Sequence, residues 1–93
     1  MEQISCARLK TWLDDAAAAK PCLVDVREPW EFAHCHIEGA LSVPMSSIPS
    51  RLRELDPDAP TVVICHHGMR SMQVATYLQQ QGFSRLYNLG GGG

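Results

Sequence analysis

The sequence predicts an α/β fold in which a mostly parallel central sheet carries helices on both faces. Three observations carry that reading. Short apolar runs alternate along the chain with segments of helical period. The run Thr61-Val62-Val63-Ile64 shows no polar alternation after Thr61, as a parallel strand covered on both faces requires. Proline and glycine punctuate the changeovers, at Pro21, Pro29, Gly39, Pro44, Pro57, Pro60 and Gly82.

Ser5 is placed to cap a helix through Ala7, Leu9, Trp12 and Leu13, with Ala16–Ala19 adding good helix formers before Pro21. Leu23-Val24-Asp25-Val26 then reads as a short buried strand. Pro29 suits the first turn of a short helix from Trp30 to about Cys35, and Gly39 opens a turn. Leu41-Ser42-Val43 is a further short strand closed by Pro44. Ile48, Leu52 and Leu55 have helical spacing within the segment Ser47–Leu55. After the strand Thr61–Ile64 and the loop Cys65–Arg70, Ser71 is expected to cap a helix that turns Val74, Ala75 and Leu78 inward. Gly82 can end that helix in the left-handed conformation, and Leu86-Tyr87-Asn88-Leu89 reads as the last strand. Residues 90–93 are all glycine, a tail expected to be flexible.

A length of 93 residues fits one domain, taken as residues 1–93. With 45% hydrophobic and 19% charged residues, the chain has the composition of a folded globular protein. A formal charge of −2 argues against a nucleic-acid partner. The longest apolar runs fall far short of the roughly 20 residues of a membrane span. Met1-Glu2-Gln3 does not begin a signal peptide, so a cytoplasmic location is expected. Cys6, Cys22, Cys35 and Cys65 form no C-x-x-C pair, which argues against a zinc cage. In a cytoplasmic protein they are expected to be reduced, and most of them small core residues.

Cys65 differs from the others in its downstream neighbours. The stretch Ile64-Cys65-His66-His67-Gly68-Met69-Arg70-Ser71 sets a cysteine where a buried strand gives way to a helix. In open α/β sheets, ligands bind at the carboxyl ends of strands. A loop curled about the sulfur would aim backbone N–H groups at it, and the next helix adds its positive end. Such a nest favours the thiolate and makes the sulfur a nucleophile near neutral pH. Gly68 supplies a position tolerant of positive φ, and Arg70 a planar cationic fork suited to an oxoanion of sulfur or phosphorus. His66 and His67 are expected at the pocket mouth, where partial protonation attracts anions. Met69 and Ser71 complete the loop.

Four stretches then stand in a family's order. Asp25-Val26-Arg27-Glu28 with Glu31-Phe32, His36-Ile37-Glu38-Gly39-Ala40 leading to Val43-Pro44, Cys65 to Ser71 as C-x-x-G-x-R-S, and Asn88-Leu89 with Gly91-Gly92 together resemble the single-domain rhodanese-like sulfurtransferases over nearly the whole chain. The resemblance implies a rhodanese-like sheet and a persulfide cycle at Cys65. Sulfane sulfur would come from thiosulfate or another small sulfur-containing anion. It would pass to cyanide in an assay, or to a thiol or protein sulfur acceptor. No metal and no organic cofactor is implied. The chain departs from the family in three places. Cys35 stands where a glycine is usual, His66 stands where arginine is frequent, and the family's last helix has no counterpart after Asn88-Leu89, which would expose one sheet face.

Asp25 and Arg27 are expected as a supporting pair at a strand end, with Asp25 bonded to loop N–H groups or to Arg27. Glu31 reads as a solvated or capping carboxylate, and Trp12, Trp30 and Phe32 as core or pocket-wall aromatics. His34, Cys35 and His36 cannot readily chelate one ion, because neighbouring residues on a helix point apart. Cys35 reads as a small buried residue, or else as a resolving thiol for Cys65. Two other functions compete: a cysteine-dependent phosphatase or arsenate reductase, and a non-catalytic sulfur-carrier or binding module. Phosphatase-type loops place five residues between Cys and Arg, whereas here His66, His67, Gly68 and Met69 make four.

Overall fold

The computed structural model describes residues 2–65 and 69–89, so the expected glycine tail lies outside the described residues. In chain order the elements are β1 (Glu2–Ile4), α1 (Cys6–Asp14), β2 (Cys22–Asp25), α2 (Pro29–His34), β3 (Leu41–Ser42), β4 (Thr61–Ile64), α3 (Met69–Gln80) and β5 (Leu86–Leu89). Two single 3₁₀ turns, Met45–Ser47 and Leu52–Glu54, lie between β3 and β4. The five strands form one sheet in the order β1-β5-β4-β2-β3, and every described pairing is parallel.

Burial on both faces follows from the alternation of side chains along the strands. Val24, Val63 and Leu86 pack beneath Val74, Ala75 and Leu78 of α3 and beneath Ile48 and Leu55. Leu23, Val62 and Ile64 pack on the other face beneath Leu9 of α1, with Trp12 and Leu13 alongside. Helices therefore cover both faces, as the sequence predicts. The register sets Ile4, Leu89, Ile64 and Asp25 in one row across the sheet. That row marks the carboxyl edge, where the loop of Cys65 begins.

Several expectations need correction. α1 stops at Asp14, and Ala16–Ala19 lie outside it. Asp15 turns the chain by accepting the Ala17 N–H (3.0 Å), and the Lys20 ammonium bonds the Leu13 and Asp15 carbonyls. The segment Ser47–Leu55 is no regular helix. Pro49 has no N–H to donate, so two 3₁₀ turns suffice to bury Ile48 fully. β1 leaves little trace in the sequence, because an edge strand of three residues with one buried side chain is held largely by its backbone. Trp30 is 72% exposed, since α2 buries none of its residues.

α3 ends as predicted. Gly82 has φ +97°, its N–H donates to the Gln79 carbonyl (3.2 Å), and the Phe83 N–H donates to that of Leu78 (3.1 Å). This is a Schellman closure, with Phe83 and Leu78 in the same apolar cluster. A Cβ at position 82 would meet nothing within 4 Å, so the cost of alanine is conformational. Gly82→Ala should lower unfolding stability by about 1 kcal/mol in urea titration, and Gly82→Asn by less. Equal stability of all three would show that the positive φ is not required.

Candidate functional site

Cys65 follows directly on β4 and is 3% exposed. Its Sγ accepts the backbone N–H of Ser71 (3.3 Å), and the thiol donates to Ser71 Oγ (3.2 Å). Ser71 is therefore not the cap of α3 but its third residue, buried and directed at the sulfur. Its hydroxyl donates in turn to Asn88 Oδ1 on β5. The Asn88 amide donates to Gln3 Oε1 on β1 (3.1 Å), and Gln3 returns to α3 through Met72 Sδ (3.6 Å). One polar chain thus joins the cysteine to α3, β5 and β1. Its buried members, Cys65, Ser71 and Asn88, need partners because a buried, unsatisfied donor or acceptor is expensive.

The sequence assigns Arg70 to a substrate anion. In the fold, its two terminal nitrogens donate to the two oxygens of Glu31 on α2, at 2.8 and 3.1 Å. A guanidinium carries five N–H donors, and this fork uses two of them. Glu31 is less exposed than a solvated carboxylate, its side chain 15% accessible. It caps α2 as well, accepting the Glu28 N–H at 2.9 Å. The Arg70 guanidinium, assisted by that N–H, holds the Glu31 carboxyl at about 2, against an ordinary 4.5. Arg70 in turn is kept charged chiefly by Glu31, and a negative charge at Cys65 would act in the same direction.

Asp25 is 1% exposed and pairs with Arg27, one of its two expected partners. Its Oδ1 accepts the Arg27 backbone N–H (3.0 Å) and Nε (2.9 Å), and its Oδ2 accepts Nη2 (2.7 Å). Nη2 also donates to the Cys35 carbonyl at 2.6 Å. A cavity of about 250 Å³ lies along the carboxyl edge, with Asp25, Arg27, Cys35, Ile64 and Cys65 among its walls. A larger groove of about 520 Å³ beside Trp12 and Tyr87 has no cysteine in its lining.

The predicted loop residues His66, His67 and Gly68 lie outside the described residues, and Met69 is exposed at the start of α3. The thiols are less buried than expected: Cys6 and Cys35 are exposed and Cys22 is intermediate. No three His, Cys, Asp or Glu side chains among the described residues form a metal-binding group. Glu31 and Asn88 contribute here although the sequence reading did not assign them to the site. Glu31 stands three residues after Glu28, where capping explains it fully. Asn88, an amide inside an apolar strand, carried a usable signal, because a buried amide demands partners.

The fold agrees with the comparisons. The profile of the rhodanese-like domain family matches residues 5–92, and the chain belongs to that family. It is 44% identical over 70 residues to the thiosulfate sulfurtransferase GlpE of Pseudomonas entomophila, a match that spans 75% of this chain and 64% of that protein. It is 47% identical, also over 70 residues, to a sulfurtransferase of Allochromatium vinosum, spanning 75% of this chain and 65% of that one. A crystal structure from Staphylococcus saprophyticus superposes with a TM-score of 0.88 at 39% identity, covering 99% of this chain and 89% of the other.

Two measurements test the electrostatics. A carboxyl held low by folding contributes stability that is present above its ordinary value and lost as pH falls through the folded value. Glu31→Gln should therefore melt below the wild type at neutral pH, with the gap closing between pH 4.5 and about 2. A gap independent of pH would contradict the pairing. Burial, and then the charge of Asp56, push the Cys22 thiol up. Iodoacetamide at neutral pH should thus modify Cys22 more slowly than the exposed Cys6 and Cys35, and equal rates would contradict that order.

Proposed function

We propose that this domain is a sulfurtransferase of the thiosulfate sulfurtransferase type, with Cys65 as the sulfur-carrying nucleophile. The observation that carries the reading is the placement of Cys65. It stands at the carboxyl end of a buried strand, receives the Ser71 N–H, and precedes Arg70 by four intervening residues. The Cys65 thiolate attacks the outer sulfur of thiosulfate. The S–S bond of the donor breaks, sulfite leaves with the electron pair, and a persulfide remains on Cys65. A nucleophilic acceptor then takes the outer sulfur and returns the thiolate. Cyanide serves in the assay, giving thiocyanate, and a thiol or protein acceptor serves in the cell.

The Ser71 N–H and the positive end of α3 support the anionic states of the sulfur. Arg70, oriented by Glu31, offers its remaining N–H groups to the departing oxoanion. The expected roles of His66, His67 and Gly68 at the pocket mouth and in the loop belong to this reading. Asp25 and Arg27 shape the cavity wall. A cytoplasmic site of action is consistent with this chemistry, and among the described residues no helix is long and apolar enough to cross a membrane. The four-residue interval favours the single outer sulfur of a persulfide over a tetrahedral phosphate.

Thiosulfate:cyanide turnover tests the proposal. Cys65→Ser should abolish it, while Cys22→Ser, at the far end of β2, should leave it intact. Arg70→Lys keeps the charge but loses the two-point fork, and kcat/KM for thiosulfate should fall about ten- to a hundred-fold, roughly 1.5–3 kcal/mol. Full activity in Cys65→Ser, or Cys65-dependent hydrolysis of aryl phosphates without sulfur transfer, would overturn the assignment.

A further inference from the structure

Three of the four cysteines, Cys6, Cys35 and Cys65, line the same cavity of about 250 Å³ at the carboxyl edge of the sheet. They differ sharply in access: Cys65 is buried, whereas Cys6 and Cys35 are exposed. A small anion can enter such a cavity, but a protein thiol cannot readily bring its sulfur onto a side chain that is 3% exposed. Cys35 is also pinned in place. Its carbonyl accepts Arg27 Nη2 at 2.6 Å, and Arg27 is itself clamped by the buried Asp25. That chain of bonds fixes the backbone of Cys35 at the cavity wall and gives the Asp25–Arg27 pair a positioning purpose.

We propose that Cys35 is a relay thiol, which takes the sulfane sulfur from Cys65 across the shared cavity and presents it at the surface to a protein acceptor. The inference rests on the sulfurtransferase reading of Cys65. A persulfide extends the side chain by one S–S bond of about 2.05 Å, which brings the transferable sulfur off the wall. The Cys35 thiol loses its proton to solvent, and the thiolate attacks the outer sulfur of protonated Cys65 persulfide. A bond forms between Cys35 Sγ and the outer sulfur, and the bond from that sulfur to Cys65 Sγ breaks. The electron pair stays on Cys65 Sγ, which leaves as the thiolate that the Ser71 N–H receives. Hydrogen remains on the transferred sulfur, its oxidation level is unchanged, and no external oxidant or reductant is needed.

Peptide mapping tests the relay. The full chain is treated with thiosulfate, freed of excess reagent, quenched with iodoacetamide at timed intervals and digested with trypsin without reductant. Arginines 27 and 51 bracket Cys35, Arg53 and Arg70 bracket Cys65, and Arg8 releases Cys6, so the three thiols fall on separate peptides. The mass of one sulfur should appear first on the Cys65 peptide and then on the Cys35 peptide. An intramolecular transfer keeps the second rate constant unchanged on roughly ten-fold dilution of the protein. Cys35→Ser should retain the sulfur on Cys65, and Cys65→Ser should show none on Cys35. The relay is overturned if sulfur never leaves Cys65 for Cys35, moves to Cys6 instead, loads Cys35 in the Cys65→Ser protein, or transfers at a rate proportional to protein concentration. Failure to load Cys65 at all would strike the sulfurtransferase reading itself, and the relay with it.

Discussion

The site depends on one buried connection, that from Cys65 through Ser71 to Asn88. Ser71 meets the sulfur with both its N–H and its hydroxyl, and passes the hydrogen-bond chain on to the Asn88 amide. Through it, the first turn of α3 is tied to the end of β4 and to β5 at once. Because Cys65, Ser71 and Asn88 are each at most 3% exposed, water cannot replace a lost partner. Removing one member would leave the others in a low-dielectric setting where an unsatisfied polar group costs about 1–3 kcal/mol. The sulfur is therefore held where the sheet ends, and the start of α3 is held against it.

A second constraint acts on α2, which contributes no buried residue to either apolar cluster. A helix of six residues without a buried face has little reason to form alone. Polar clamps hold it instead. Its first turn carries the reciprocal capping of Glu28 and Glu31, and Glu31 is forked by Arg70 from α3. Its far end is tied through the Cys35 carbonyl to Arg27, and so to the buried Asp25. The two arginine–carboxylate pairs hold opposite ends of this helix, and the segment that follows it, from Cys35 to Ile37, walls the cavity at the sheet edge. Charge pairing here does what hydrophobic burial does for α1 and α3.

Much of this was legible from residue order. The alternation of apolar runs with helical segments led to the parallel sheet with helices on both faces. Ser5, Pro29 and Gly82 marked helix boundaries through their own backbone or side-chain chemistry. The position of Cys65 between a buried strand and a helix was legible too, and it marks the candidate site. What was not legible depends on contacts distant in sequence. Glu31 and Arg70 are 39 residues apart, and nothing local to either announces the pair. Ser71 resembled a cap because serine is favoured there, yet tertiary bonding to Cys65 and Asn88 outcompeted that local role. The exposure of Cys35 was missed for a similar reason, since side-chain size suggests burial while the Arg27 tether sets the actual position.

These connections converge on a single chemical claim, that the sulfur held by Ser71 carries another sulfur between donor and acceptor. Intact mass spectrometry after thiosulfate treatment, before and after added cyanide, measures this most directly. The wild-type protein should gain the mass of one sulfur and lose it on cyanide addition, and Cys65→Ser should show neither change. An unaltered wild-type mass, or the same gain in Cys65→Ser, would contradict the account.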